Sequence, residues 1–449
     1  MTEKNEKTFP ETETAVPEGT VTEEIPERAI LVSVPLDDGD EMDPDASLNE
    51  LEELLNTAGG VSFGRMIQTR QAPDHATSIG RGKLAELAEI CRNVRIDLVV
   101  FDCELSPSQI RNIEDALDDV RVIDRTMLIL DIFARNAKTA EGILQVAIAN
   151  MRYTLPRLSG KGTELSRLGG GIGTRGPGES KLEIDRRRAK EKIRGLEREL
   201  EELAKKRKTQ RRGREKSGVF RIALAGYTNA GKSTLLNALC DESVLAEDKL
   251  FATLDPVTRR WKLPEAGEAL LTDTVGFINR LPHHLVEAFR STLDEVVYSD
   301  LVLVVLDAAD DKFLQKLRVT ESILYSLFEK NEVTPAPFLY VLNKTDLPES
   351  RFNLDAFPKG RDAVCISAGK KTGLGELERR VEKILSERKK ETCFLFPHDR
   401  AGLLSPLYKS SQVRRVAYEP DGVYAEVVCD EKTRGSLARY ITDKRTSEE

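Results

Sequence analysis

The chain is poor in the residues that usually build metal and disulfide sites. It has 449 residues but only six cysteines, four histidines and one tryptophan. Cys91, Cys103, Cys240, Cys365, Cys393 and Cys429 are scattered, with no CxxC pair and no Cys/His cluster. That spacing argues against a zinc site or a disulfide framework and for small buried thiols in a reducing compartment. No run of about 18 apolar residues occurs, so no transmembrane helix is expected. The opening MTEKNEKTFPETETAVPEG lacks the apolar core of a signal peptide and is too acidic for a transit peptide, which makes the cytoplasm the expected location. No internal repeat stands out.

What is present is charge, unevenly placed. Charged residues make up 32% of the chain and hydrophobic ones 40%, with a net charge of -8. Residues 1–60 carry 17 Asp/Glu against 3 Lys/Arg, whereas residues 157–216 carry 20 Lys/Arg against 10 Asp/Glu. The acidic pI therefore says little about partners, and the local basic stretch says more. At about 150 residues per domain the length suggests about three domains.

Residues 1–28 are acidic, polar and interrupted by proline, and are expected to be a disordered tail. Residues 29–156 read as a small parallel α/β domain, with strands at 29–34, 60–68, 98–101 and 120–123 and helices between them. Ser106 and Pro107 mark a helix start, and residues 125–156 read as one long amphipathic helix. Residues 157–218 hold a glycine-rich loop at 169–179 and then a basic helical hairpin or short coiled coil. Its seams are Leu182, Ala189, Leu196 and Leu203, with Ile193 and Leu200. Residues 219–390 read as a doubly wound parallel sheet with strands at 219–225, 270–272, 301–306 and 338–342. Residues 391–449 read as a small α+β module, with a strand at 423–429 and a helix at 433–441.

The third unit carries the chemistry. GYTNAGKS at 226–233 fits GxxxxGKS between a strand and a helix. Its glycines let backbone N–H groups wrap phosphates at a helix N-terminus. Gly226, Tyr227, Thr228, Asn229, Ala230, Gly231 and Thr234 would line them, Lys232 would charge-pair the β/γ-phosphates, and Ser233 would ligate Mg²⁺. DTVG at 273–276 follows the next strand. Asp273 can hold Mg²⁺ directly or through water, and the N–H of Gly276 can reach a γ-phosphate. NKTD at 343–346 follows a further strand. Asp346 can accept from guanine N1–H and the 2-amino group, which adenine cannot supply. Asn343 would brace the loop and reach N7, the Lys344 stem would cover the base, and Ser367-Ala368 would present a backbone N–H to O6. Thr253 stands where a switch threonine closes over Mg²⁺ and γ-phosphate, with Thr258 as its competitor. Phe277 occupies the place of a water-orienting glutamine, so slow basal hydrolysis is expected. Asn229 could ligate a charge-neutralising K⁺. These elements, in this order and each at a strand's C-terminal end, describe a guanine-nucleotide-binding P-loop GTPase. A separate glycine-rich turn, IGRGK at 79–83, could bind ATP phosphates, pack, or contact RNA, but lacks the P-loop spacing.

Strings outside those motifs carry a resemblance. They are FDCELSPSQ at 101–109, VIDRT at 122–126, LILDIFA at 128–134, LPRL at 155–158, GIGTRGPGE at 171–179 and DRRR at 185–188. In the nucleotide unit they are LFATLDP at 250–256, DTVGFI at 273–278 and LPHHLVEAFRSTLDE at 281–295. Over about residues 29–390 the chain resembles the HflX family of ribosome-associated GTPases. Asn136, where an arginine is expected, and Val257, where threonine is frequent, depart from its pattern. The resemblance implies binding to the large (50S) ribosomal subunit, hydrolysis stimulated by the ribosome, and in some members splitting of stalled 70S ribosomes under stress and an N-terminal ATP-binding activity. It also implies that the N-terminal and helical parts reach rRNA near the peptidyl-transferase centre.

The basic stretch supports that partner independently, because Lys and Arg release counterions from an RNA backbone. Arg175, Arg186, Arg187, Arg188, Lys205, Lys206, Arg207 and Lys208 are the candidate contacts. With few aromatics here, phosphate and shape contacts are expected rather than base stacking. A large-subunit assembly factor and a GTP-dependent protein-binding switch share these motifs. A monomer is expected.

Overall fold

A computed structural model describes residues 26–36, 43–118, 120–159, 181–216, 219–240, 250–251, 254–279, 290–387 and 389–442. The acidic opening, the glycine-rich loop at 169–179, Thr253 and LPHHLVEAF at 281–289 lie outside the described residues.

The N-terminal unit is a four-stranded sheet in the order β2-β1-β3-β4, built from β1 (Arg28–Ser33), β2 (Val61–Ile67), β3 (Leu98–Phe101) and β4 (Arg121–Asp124), with every pairing parallel. Side chains alternate across a strand, so each strand serves two cores. Ile30, Val32, Val99 and Phe101 face α2 (Arg81–Asn93) and α3 (Pro107–Ala116). Ala29, Leu31, Leu98 and Val100 share a core with α1 (Pro44–Thr57) and α4 (Arg125–Asn136). α3 begins as its sequence indicates. Ser106 Oγ accepts from Gln109 N at 3.2 Å, Gln109 Oε1 accepts from Ser106 N at 2.9 Å, and Pro107 holds the first turn.

The long helix expected over 125–156 is two helices. α4 ends at Asn136, Ala137 turns extended, and Thr139 caps α5 (Ala140–Thr154) by accepting from Gly142 N at 3.0 Å. A hydroxyl that competes for the backbone ends one helix and starts the next. The hairpin expected within 157–218 is, over its described part, a single 36-residue helix, α6 (Lys181–Lys216). Its antiparallel partner is α5. Arg152 pairs with Glu197 at 2.6 Å and Glu141 with Arg207 at 2.7 Å, with Ile193 buried.

The nucleotide unit has six strands in the order β10-β9-β8-β5-β7-β6. They are β5 (Phe220–Gly226), β6 (Val257–Leu263), β7 (Gly267–Asp273), β8 (Leu301–Asp307), β9 (Phe338–Asn343) and β10 (Ala363–Cys365). All pairings are parallel except that of the edge strand β6 with β7, which the expected all-parallel sheet omitted. Trp261 and Leu263 of β6 are buried while Arg260 and Lys262 are exposed, the alternation of a strand with one covered face. α7 (Lys232–Leu239), α8 (Arg290–Val297), α9 (Phe313–Lys330), α10 (Ser350–Ala356) and α11 (Leu374–Glu387) surround the sheet.

The last unit is a three-stranded antiparallel sheet in the order β11-β13-β12, from β11 (Lys389–Phe396), β12 (Gln412–Glu419) and β13 (Gly422–Asp430). The helix expected at 433–441 is shorter. Its place is taken by α13 (Glu431–Ser436) and a single 3-10 turn over Ala438–Tyr440, after α12 (Leu404–Ser410) earlier in the module.

The first and third units share one apolar core. Phe133 of α4 meets Phe251 edge-on at 4.7 Å, and both belong to the cluster that holds Leu31, Leu54, Tyr227, Phe277 and Val304.

Candidate functional site

The apolar strand β5 delivers GYTNAGKS to the C-terminal edge of the central sheet, where open α/β sheets bind ligands. The loop closes only with glycine at two points. Gly226 has φ 157° and a Cβ there would lie 2.2 Å from Val305 O. Gly231, at φ 90° before α7, would meet Asn343 Nδ2 at 2.3 Å. Asn229, exposed at the loop's apex with φ 60°, takes the left-handed conformation that asparagine tolerates.

Lys232 Nζ donates to Tyr227 O at 2.8 Å and Gly226 O at 3.2 Å. Burial pulls its pKa down to about 8, against the opposing pull of Asp273. This ammonium is held dry by two carbonyls, where an incoming phosphate would act on it strongly. Ser233 Oγ donates to Asp273 Oδ2 at 2.6 Å, so the hydroxyl and carboxylate expected to hold Mg²⁺ already converge. Both are hard oxygen donors of the kind Mg²⁺ takes beside phosphates. Thr234 follows in the first turn of α7.

Gly276 sits against the P-loop, where a Cβ would lie 2.8 Å from Thr228 Cα and 3.0 Å from Lys232 Nζ. Phe277 locks the two segments together. Its N–H donates to Gly226 O at 3.0 Å and its carbonyl accepts from Thr228 N at 2.8 Å, with the ring buried in the core. The side chain in the place of a water-orienting glutamine is therefore a packing element.

Asn343 ties the base-side loops together. Its Nδ2 donates to Ala230 O and its Oδ1 accepts from Ala368 N, both at 2.9 Å. Asn343 thus bridges the two loops, and of the Ser367-Ala368 pair it is the Ala368 N–H that is turned to Asn343 in this structure. Lys344, at φ 61°, pairs with Asp307 at 2.7 Å. Asp346 is exposed beside Lys370 at 3.2 Å, and the Ser367 hydroxyl, then Lys370, holds its carboxyl below the usual carboxylate range. Thr258 lies on β6 within 3.0 Å of Thr272 Oγ1, a strand-pairing contact.

Sequence reasoning missed what lies behind the P-loop. Tyr227 OH donates to the buried Glu50 of α1 at 2.9 Å and accepts from Asn279 N at 2.6 Å. Glu50 pairs with Arg125 at 3.1 Å, and Arg125 with Asp102 at 2.7 Å. A buried polar chain thus runs from the N-terminal sheet to the phosphate loop and on to the segment after DTVG. Asp124 anchors the neighbouring corner, accepting from Leu105 N at 3.1 Å, Met127 N at 2.9 Å and Arg157 at 3.0 Å.

The segment around Thr253 is held from the same side. Asn136 Nδ2 donates to Phe251 O at 2.9 Å, so this position serves an internal contact. Asp255 accepts from Lys138 N and Thr139 N, each at 2.8 Å, and from the Thr139 hydroxyl. Gly142 permits the approach, since a Cβ there would lie 2.4 Å from Asp255 Oδ1. Asp255→Ala should cost about 1–2 kcal/mol through these lost charge-assisted bonds and speed amide hydrogen exchange at 137–142. Unchanged exchange there would refute the clamp.

The IGRGK turn at 79–83 is already filled. Gly80 N donates to Gln68 Oε1 at 2.8 Å, and a Cβ on Gly80 would lie 2.5 Å from Arg70 Nη1. Among the candidate RNA contacts, Arg187, Arg188, Lys205 and Lys206 are exposed, Arg186 is half-buried and Arg207 is engaged with Glu141. Lys208 lies on α6, and Arg175 is outside the described residues. No helix among the described residues is long and apolar enough to cross a membrane.

Comparison with known proteins agrees with this geometry. Family models described as GTP-binding GTPase N-terminal, GTP-binding GTPase middle region and 50S ribosome-binding GTPase match residues 45–134, 136–214 and 221–344. A GTPase HflX of Caldanaerobacter subterraneus is 46% identical over 91% of this chain and 92% of its own length. One of Lacrimispora saccharolytica is 45% identical over 92% and 96%, and that of Escherichia coli 39% identical over 88% and 92%. With the P-loop, DTVG and NKTD gathered at one sheet edge, this chain belongs to the HflX family of GTPases and hydrolyses GTP.

Proposed function

We propose that the chain works on the ribosome: that it binds the large (50S) subunit in the cytoplasm and couples GTP hydrolysis to splitting or rescuing stalled 70S ribosomes under stress. The observation that carries this reading is the α5–α6 arm. It is long, its exposed Arg187, Arg188, Lys205 and Lys206 suit an RNA backbone, and it starts at Thr139, which grips Asp255 beside the proposed switch threonine. A change in that segment on GTP binding would bias the arm's pose.

In this reading Lys232, Gly276 and the 226–234 backbone hold the phosphates. Ser233, Asp273 and Thr253 would hold Mg²⁺, which would offset the charge that develops on the phosphates. Asn229 is the candidate K⁺ ligand, and Asn343, Lys344, Asp346, Ser367 and Ala368 surround guanine. Water attacks the γ-phosphate, and the ribosome completes the site, as an external activator can add about 10³–10⁵ in rate.

The test is GTP hydrolysis with and without purified 50S subunits, with ATP in parallel, followed by light scattering of 70S particles. Large GTP-selective stimulation with falling scattering supports the proposal. No stimulation removes the ribosome as activator. Stimulation without splitting, together with precursor large subunits in unstressed deletion cells, would favour an assembly role. Asp346→Asn should move preference from guanine toward xanthine nucleotides by about 10²-fold or more, the scale of one buried donor–acceptor mismatch. An unshifted preference would remove Asp346 from base recognition.

A further inference from the structure

Thr228 presents a buried hydroxyl that the described structure does not satisfy. The residue is 5% exposed, and its Oγ1 has no hydrogen-bond partner among the described residues. Leaving a buried hydroxyl unmade costs about 1–3 kcal/mol, so such a group in a well-built loop points to a partner supplied from outside. Its backbone is fixed by the bond from Thr228 N to Phe277 O at 2.8 Å. A Cβ added to Gly276 would touch the Thr228 methyl, Cγ2, at 2.8 Å and Lys232 Nζ at 3.0 Å, so the Thr228 side chain stands at the edge of the small volume between Gly276 and Lys232. Lys232 and the Gly276 N–H are the groups that serve a γ-phosphate. The other hydroxyl at this end, that of Ser233, is engaged with Asp273. Phe277 is sequestered in the core and offers no polar atom from its side chain.

We propose that Thr228 is a catalytic residue whose hydroxyl donates a hydrogen bond to the γ-phosphoryl oxygens as water attacks and the bond to the bridging β–γ oxygen breaks. The hydroxyl remains protonated throughout. The water's protons leave with inorganic phosphate, and the bond's electron pair leaves with GDP. This inference rests on the GTP-site reading above. A donor used as charge redistributes over the transferred group contributes to turnover more than to ground-state binding.

The test compares Thr228→Val, which keeps the shape, with Thr228→Ser, which keeps the hydroxyl. The readouts are single-turnover GTP hydrolysis, affinity for GDP, and affinity for GDP with aluminium fluoride. The valine variant should lose at least about tenfold in both turnover and aluminium fluoride complex affinity, with GDP affinity within about twofold, and the serine variant should recover most of the loss. Where valine prevents folding, Thr228→Ala replaces it. Turnover within twofold of the parent would overturn the proposal. So would equal losses for GDP and for the aluminium fluoride complex, which would mark a loop-shaping role. Absence of GTP binding in the unaltered chain would instead overturn the underlying site.

Discussion

Arg125→Ala should destabilise the unit formed by the N-terminal sheet and the nucleotide domain by about 3–5 kcal/mol, read as a fall in its urea midpoint. Arg125 is 3% exposed and holds two carboxylates, Glu50 at 3.1 Å and Asp102 at 2.7 Å. Burial works against its charge, but the two carboxylates outweigh it and hold its pKa above the ordinary arginine value. Removing the guanidinium leaves two buried anions facing one another, with the Tyr227 hydroxyl still bonded to one of them. The loss is therefore much larger than for an exposed pair, which is worth at most about 1 kcal/mol. Arg125→Lys should recover only part of it, because an ammonium lacks the planar fork that spans both partners. Since Glu50 braces Tyr227, Arg125→Ala should also weaken GDP binding, whereas Tyr227→Phe, which leaves Glu50 paired with Arg125, should loosen the phosphate loop at a smaller cost to folding, about 1–3 kcal/mol. A wild-type urea midpoint for Arg125→Ala would show that the buried chain contributes nothing.

Lys232→Ala should lower GTP turnover by at least about 10³-fold while leaving the nucleotide-free fold as stable as the parent or more so. Its Nζ is bonded to the Gly226 and Tyr227 carbonyls, and burial has brought its pKa down to about 8. Because the folded state depresses this pKa, burial opposes the charged form at neutral pH, and deleting the ammonium relieves that cost. With nucleotide present the sign reverses, since the phosphates would repay the desolvation in a dry site. The paired measurement is thermal unfolding without and with GDP. The variant should melt at or above the parent without nucleotide and gain less from added GDP. Full hydrolysis by Lys232→Ala would place the chemistry elsewhere.

The parts legible in the sequence are those whose physics is local. A phosphate loop needs glycine at Gly226 and Gly231 and a cation at Lys232 within one strand–helix turn, so eight consecutive letters declare it. The strands β1, β3, β5 and β8 show as short apolar runs because parallel strands are covered on both faces. β6 was missed because VTRRWKL carries three basic residues, Arg260 and Lys262 on its open side and Arg259 on the covered face, so its alternation shows only when Trp261 and Leu263 are counted alone. At 137–139 the sequence does carry a local signal, since Thr139 caps the next helix through Gly142 N; what has no local sign is the grip of the same residue on Asp255, more than a hundred residues later.

By itself, then, the sequence determined the reaction and the nucleotide, because the residues proposed for phosphate, metal and base each lie within a few positions of a strand's end. Only the tertiary structure decided how that site is tied to the rest of the chain. Glu50 reads as one more polar helix residue until folding brings it to Tyr227 across 177 positions, and Asp255 reads as a turn residue until it receives the Thr139 backbone. Such bonds have no signature in spacing. They exist because burying a charge is tolerable only where folding delivers its partner, and that partner is chosen by packing.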